Sequence, residues 1–273
     1  MKFSIVTISF NQAKFLERTV LSVITQQAVD VEYIIVDPGS TDGSRDIIEK
    51  YRGKFSQIVL EKDAGPADGL NKGFELATGD WFGYINSDDF YLPGGLHRAA
   101  IAAQRNPRAG AIVGNGYIVD ENDAMLRRSV STKYSRLCAL HGACFSLQQA
   151  TFYNATAYRA VNGFNIANTT CWDAEILVDL SDRGYRIERI YEDVGAFRIH
   201  PQSITGSGRL FLRYRRDADA VFRKAMGRER NQLDRLLTAP VLRSKMMLFD
   251  PKRTTDLTKD RLGLWRGVEK ARG

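Results

Sequence analysis

The chain has 273 residues, 44% of them hydrophobic, enough for one large α/β domain or two small ones. No apolar run approaches the roughly 18 residues of a membrane span, and three cysteines without Cys-x-x-Cys spacing argue against a disulfide framework or a structural zinc site. The net charge of +7 belongs to the tail: from Ser207 onward 18 Lys and Arg face 8 Asp and Glu, while residues 1–206 carry 21 against 24. The part that carries the motifs is slightly acidic, so nucleic acid is not expected as its substrate.

Met1-Lys2-Phe3 runs straight into a strand pattern instead of a signal peptide, which gives a cytoplasmic expectation. Lys2 to Phe10 is β-rich and apolar, as in a strand buried in a parallel sheet. Asn11 reads as a helix N-cap ahead of Leu16, Val20, Val23 and Ile24 on one face. A second strand, Val31 to Asp37, ends in the turn Pro38-Gly39-Ser40-Thr41-Asp42-Gly43. A helix, a strand at Gln57 to Glu61, a helix around Gly69 to Ala77 and a strand after Asp80 follow. This alternation predicts a doubly wound, mostly parallel Rossmann-like sheet with helices on both faces, whose ligand lies at the C-terminal strand ends. Polar residues collect at those ends: Thr7 and Ser9, Asp37, Asp63, then Asp88 and Asp89. Adjacent carboxylates repel, and a divalent cation with phosphate oxygens on its far side keeps both ionised. The bland alternative is a solvated Asp-Asp turn before Pro93. No GxxxxGK[ST] is present, and no GxGxxG follows the first strand.

The segments SIVTISFNQ, YIIVDPGSTDGSRDII and GLNKGFELATGDWFGYINSDD, in this order and spacing, resemble the N-terminal half of the family-two glycosyltransferases, inverting nucleotide-sugar enzymes of the GT-A fold. The resemblance is close over residues 3 to 96 and looser to 206. It implies that Thr7, Ser9 and Asp37 line the nucleotide pocket. It also implies that Asn86-Ser87-Asp88-Asp89 is the DxD-type motif, with Asp88 on ribose or metal and Asp89 on the metal. Two departures stand out. Pro38 replaces an acid that often reads the base, and Asn86 replaces the first Asp of the usual Asp-x-Asp-Asp. Asp68 and Asn71, three apart at a helix start, share a face, and the resemblance assigns them to donor sugar or ribose; a helix cap is the plain alternative.

From Ala109 the pattern changes to a hairpin turning at Glu121-Asn122-Asp123. The segments around Gln148 to Tyr153 and Ala160 to Phe164 resemble the family's acceptor side, where Tyr153 and Trp172 suit stacking on a sugar ring, or else core packing. Asp173 falls where the family places its catalytic base, and Glu175, the second carboxylate on that helix, is expected on the acceptor side with Tyr153 and Trp172. His200, in Arg-Ile-His-Pro, falls where GT-A enzymes often carry a third metal ligand, so a Mn²⁺ or Mg²⁺ held by Asp88, Asp89 and His200 is expected.

The predicted organisation is a catalytic domain over 1–206, with a nucleotide-sugar half (1–108) and an acceptor half (109–206), then a basic helical extension over 207–273. Leu210, Tyr214, Ala218, Val221 and Phe222 form an apolar stripe beneath arginines. That helix either packs back on the domain or makes a peripheral contact through 207–230 with the inner face of the membrane. The residues from Asp250 onward read as loosely held. The expected reaction is metal-assisted, inverting transfer from a nucleotide-diphosphate sugar, UDP-linked in the first instance, to a hydroxyl of a glycan or lipid-linked glycan. The alternatives are a non-catalytic binding module on the same fold and, behind it, a sugar nucleotidyltransferase, which would need a Gly-rich basic loop after the first strand.

Overall fold

In the computed structural model, residues 1–201 and 210–237, with 242, 244 and 255, are described. The junction Ser203 to Gly208 and most of the segment after Asp250 lie outside the described residues.

The first strand, β1 (Lys2–Ile8), is apolar on both faces and buried almost throughout, as the centre of a sheet requires. It pairs in parallel with β2 (Asp30–Val36) and β4 (Trp81–Asn86), and β2 pairs with the short β3 (Gln57–Val59). The expected parallel half is therefore present. Beyond β4 the sheet becomes mixed. β8 (Thr151–Asn154) runs antiparallel to β4 and to β6 (Ala109–Val119), which pairs in parallel with β9 (Arg186–Arg198). β5 (Phe90–Tyr91) edges β9, and β7 (Met125–Ser129) forms the expected hairpin with β6. The strand order is β3-β2-β1-β4-β8-β6-β9-β5, so the two predicted halves share one sheet.

Helices cover both faces. On one, α1 (Ala13–Ile24), α2 (Ser44–Lys50) and α4 (Gly95–Arg105) bury Leu16, Val20, Ile48 and Leu96 against Phe3, Ile5 and Tyr33. On the other, α3 (Pro66–Glu75), α6 (Ala155–Ala160) and α7 (Trp172–Asp182) bury Leu70, Phe74, Tyr158 and Ile176 against Val6, Phe82 and Tyr84. Helix α3 needs Gly73 for its close seat: a Cβ there would meet Val6 Cγ1 at 2.6 Å. Asn11 is not the N-cap of α1. Gln12 holds that position, and Asn11 takes a left-handed φ of 53° with its side-chain oxygen accepting from Thr41 N–H. The side chain thus ties the β1 and β2 loops together.

Helix α5 (Arg136–Leu140) precedes β8. After β9 come α8 (Phe211–Met226) and α9 (Gln232–Leu236). Helix α8 packs back on the domain: Phe222 is fully buried with Leu140 and Val178, and Arg136 donates to Ala225 O at 2.7 Å.

Candidate functional site

At the C-terminal edge of the parallel strands the polar ends of β1, β2 and β4 lie side by side. At the end of β2, Asp37 is fully buried, and its Oδ1 accepts from Gly39 N (3.0 Å), Ser40 N (2.8 Å) and Arg45 Nε (3.1 Å). Gly39 sits at φ 142°, a conformation L side chains rarely adopt. Burial works against ionisation of Asp37, but the donors from Ser40, Arg45 and Gly39 outweigh it and hold the carboxyl below its ordinary value. Its second oxygen, Oδ2, is buried without a hydrogen-bond partner, and so is the hydroxyl of Ser9 at the end of β1. A buried carboxylate oxygen left open is costly, and such atoms are the expected seats of a ligand.

The turn after β4 separates the two expected metal carboxylates. Asp88 stays partly accessible, its Oδ2 3.1 Å from His200 Nε2, with the imidazole packed on the Phe15 ring at 4.8 Å. Asp89 points inward and is completely buried: Oδ1 accepts from Arg198 N (2.8 Å), and Oδ2 from Gln149 Nε2 (2.6 Å) and Asn86 Nδ2 (3.2 Å). Burial, and after it the Asp88 charge, raise the Asp89 carboxyl well above the carboxylate range. Both oxygens of Asp89, the residue expected on the metal, thus accept from donors of the protein. Asn86 supplies one of those donors, where a third carboxylate would have added repulsion. Among the described residues no group of three or more His, Cys, Asp or Glu is arranged to hold a metal ion. A carboxylate and an imidazole in contact still make a sound pair of ligands for a divalent cation that completes its sphere with diphosphate and water.

The turn is locked by Arg198, the largest fully buried side chain, which the motif reading passed over. Its guanidinium donates to Asp88 O at 2.6 Å, pairs with Asp123, and lies over Phe15 and Phe90. Gln149, buried on the rim of β8, was also missed as a partner of Asp89. In both cases the only sequence signal was a polar residue beside a strand end, far from the motif it serves.

Asp173 is the second residue of α7, half-buried, with Oδ1 accepting from Ala174 N–H at 2.9 Å. Burial raises its carboxyl above the ordinary value against that hydrogen bond. Trp172 packs on Tyr84 (5.3 Å) and Phe164 (4.8 Å), which sets the first turn of α7 over the end of the strand that delivers Asp88. Burial and nearby negative groups, among them Asp173 and Asp89, hold the buried Tyr84 hydroxyl well above its usual range.

Other residues expected as contacts have partners within the protein. Thr7 is fully buried with its hydroxyl 2.9 Å from the Tyr33 hydroxyl, inside the layer under α1. The Asn71 oxygen accepts from Tyr158 OH (2.7 Å) and Phe164 N (2.9 Å), and its amide donates to Phe164 O, so it fastens the turn after α6. Asp68 closes the turn before α3 by accepting from Ala64 N–H. Tyr153 is 1% exposed within the aromatic cluster and offers no face to a sugar. Glu175 is 2% exposed and accepts from Asn165, Asn168 and Lys224, which removes it from the acceptor side.

Residues 4–162 match the model of the glycosyl transferase family 2, and the chain belongs to that family. An uncharacterized glycosyltransferase of Nostoc is 26% identical over 212 residues, 73% of this chain and 65% of the relative. The putative teichuronic acid biosynthesis glycosyltransferase TuaG of Bacillus subtilis is 39% identical over 89 residues, 32% of this chain and 35% of TuaG. The matched stretch thus spans less than two thirds of either relative. Among solved structures, S. aureus TarS 1-349 in complex with UDP-GlcNAc superposes with a TM-score of 0.62 at 18% identity, covering 83% of this chain and 72% of that one. The mannosyltransferase PcManGT from Pyrobaculum calidifontis, in complex with GDP-Man and Mn²⁺, reaches 0.64 at 15% identity over 90% of this chain and 69% of that one. The fold is of the GT-A type these structures share.

Proposed function

We propose that the chain transfers a sugar from a nucleotide-diphosphate donor to an acceptor hydroxyl, with inversion at C1, in the assembly of a glycan. The observation that carries this reading is the pair of buried acceptors without partners, Asp37 Oδ2 and Ser9 Oγ, at the same C-terminal edge of β1, β2 and β4 as the Asp88–His200 pair. Membership of the family supports the class of reaction, and the TuaG relative supports glycan assembly. The nucleotide sugars in TarS and PcManGT support the class of donor.

Asp37 and Ser9 receive the nucleoside. Asp88 and His200 would hold Mn²⁺ or Mg²⁺, which when bound offsets charge on the leaving diphosphate. Asp173 orients the acceptor hydroxyl and takes its proton as the oxygen–C1 bond forms and the C1–phosphate oxygen bond breaks. Burial raises the proton affinity of that carboxylate and makes it a stronger base. A single displacement from the face opposite the diphosphate inverts the centre, and no second nucleophile is required.

The test is binding and turnover of a panel of UDP-, GDP- and dTDP-sugars, with and without Mn²⁺. One donor is expected to bind in a metal-dependent way, about 100-fold more weakly in Asp88→Ala. In Asp173→Asn, donor affinity should persist while turnover falls by about 10³-fold. Failure of every donor to bind sinks the reading.

The acceptor side is proposed to work at an anionic membrane surface, where a lipid-linked acceptor is presented. No helix among the described residues is long and apolar enough to cross a membrane. Phe211 and Leu212 on the first turn of α8 are 64% and 71% exposed beside the exposed Arg213, Arg215 and Arg216. Apolar wedges among arginines suit an anionic interface. Co-sedimentation with phosphatidylglycerol vesicles should fall by about tenfold in Phe211→Ser/Leu212→Ser; unchanged binding would reject this contact.

A further inference from the structure

Helix α7 carries Asp173 in its first turn, yet its N-cap, Cys171, makes no side-chain capping bond. The start of the helix is held from elsewhere, and much of the hold comes from α8, beyond the stretch matched to the family. Asp217 Oδ2 accepts from Thr170 Oγ1 (2.6 Å) and Thr169 N–H (3.0 Å), in the two residues that precede the cap. Lys224 Nζ reaches Glu175 Oε1 at 2.9 Å and Asp179 Oδ2 at 2.8 Å. Glu175 lies two residues after Asp173, and its buried carboxylate also accepts from Asn165 Nδ2 (3.0 Å) and Asn168 Nδ2 (2.7 Å). Asn168 then turns its own oxygen to Cys171 N–H at 3.0 Å.

The network runs from α8 through Glu175 to the backbone that carries Asp173. Glu175 is buried with its charge, and without the ammonium it would rest on two neutral amides. The loop 165–171 and the first turn of α7 would then relax around it. A general base acts only within hydrogen-bond reach of its proton, and displacement of about 1 Å can cost on the order of 10²-fold.

We infer that Lys224 and Asp217 of the C-terminal helix are positioning residues for Asp173, so that α8 is part of the catalytic apparatus. This rests on the reading of Asp173 as the base. Neither side chain is assigned to the donor or the acceptor, and both act through α7.

The experiment measures kcat for nucleoside diphosphate release and donor Kd in the full chain. It compares wild type, Lys224→Met, Lys224→Arg, Asp217→Ala, Asp173→Asn and the double variant Asp173→Asn/Lys224→Met. Lys224→Met and Asp217→Ala should lower kcat by about 10- to 100-fold with donor Kd within about twofold. Lys224→Arg should restore most of the rate, and Lys224→Met should cost nothing further once Asp173 is Asn. The unchanged donor Kd also reports that the variants fold. Wild-type kcat in Lys224→Met, with Asp173→Asn inactive, overturns the positioning role and leaves the base intact. Wild-type turnover in Asp173→Asn overturns both. A parallel loss of donor affinity and kcat in Lys224→Met overturns the inference in favour of general disruption.

Discussion

The two ends of β2 each hold a buried carboxylate, and they are completed in opposite ways. Glu32, near the N-terminal end, is 7% exposed and accepts from Ser4 Oγ, Thr78 N (2.7 Å), Thr78 Oγ1 (2.8 Å) and Lys2 Nζ (3.0 Å). Ser4 Oγ in turn accepts from Gly79 N–H, so the carboxylate joins β1, β2 and the approach to β4 into one staple. Asp37, just past the C-terminal end, keeps one oxygen with three donors and leaves the other buried and open. The fold satisfies one buried carboxylate completely and leaves the other half-satisfied beside the same strand, which on the proposed function separates a stability device from a binding device. The separation follows the parallel sheet, whose C-terminal edge takes ligands.

The sharpest way to break this comparison is Asp37→Asn. The amide keeps the oxygen that Gly39, Ser40 and Arg45 engage but turns the open acceptor into a donor. Donor affinity should fall by about 100-fold, since a charge-assisted hydrogen bond of about 2–3 kcal/mol is replaced by opposed N–H groups. Global stability, read from chemical denaturation, should fall by only about 1 kcal/mol, because the charge that Ser40, Arg45 and Gly39 favour is lost while their acceptor oxygen stays. A variant that binds donor normally and loses stability would make Asp37 a staple like Glu32.

The parallel half of the sheet was legible because its signals are local: apolar runs, glycine turns and polar residues at strand ends. The mixed half was less so. Its ladders join Trp81 to Asn154 and Asn115 to Asp193, pairings that short-range periodicity does not encode. The candidate site split along the same line. Position alone puts Asp37 and Asp88 at strand ends, but Asp88 and Asp89 look equivalent in sequence. What turns Asp89 inward is the Arg198 backbone and the Gln149 amide, donors brought by β9 and by the turn before β8. Asn71, Glu175 and Thr7, expected near the donor or acceptor, are engaged within the protein for a related reason. A polar residue at the right place near a strand end serves a ligand only if no tertiary partner claims it, and Phe164, Asn168 and Tyr33 do. The stripe on α8 left packing and membrane contact both open, and it gave no sign that Lys224 reaches the buried Glu175.

Glu32→Gln probes the other end of the comparison and should have the smaller effect. The neutral amide keeps the shape, yet one of its atoms must now donate towards Ser4, Thr78 or Lys2, all of which donate already. Removing one accepting partner from a buried set costs about 2 kcal/mol, so the denaturation midpoint at pH 7 should fall while donor affinity holds. The acid limb gives a second, independent readout. Burial pushes the Glu32 carboxyl up, but the hydrogen bonds from Ser4, Thr78 and Lys2 outweigh it and bring it down to about 2. A depressed carboxyl stabilises the fold fully above its ordinary value, and that contribution fades as pH falls from there through about 2. The stability gap between wild type and Glu32→Gln should therefore be constant near neutrality and close between about pH 4.5 and 2. A gap that persists at pH 2 would mean that the loss comes from packing and not from the charge. A fall in donor affinity at pH 7 would mean that the two ends of β2 are coupled, and that the sheet transmits the state of its lower edge to the C-terminal edge above.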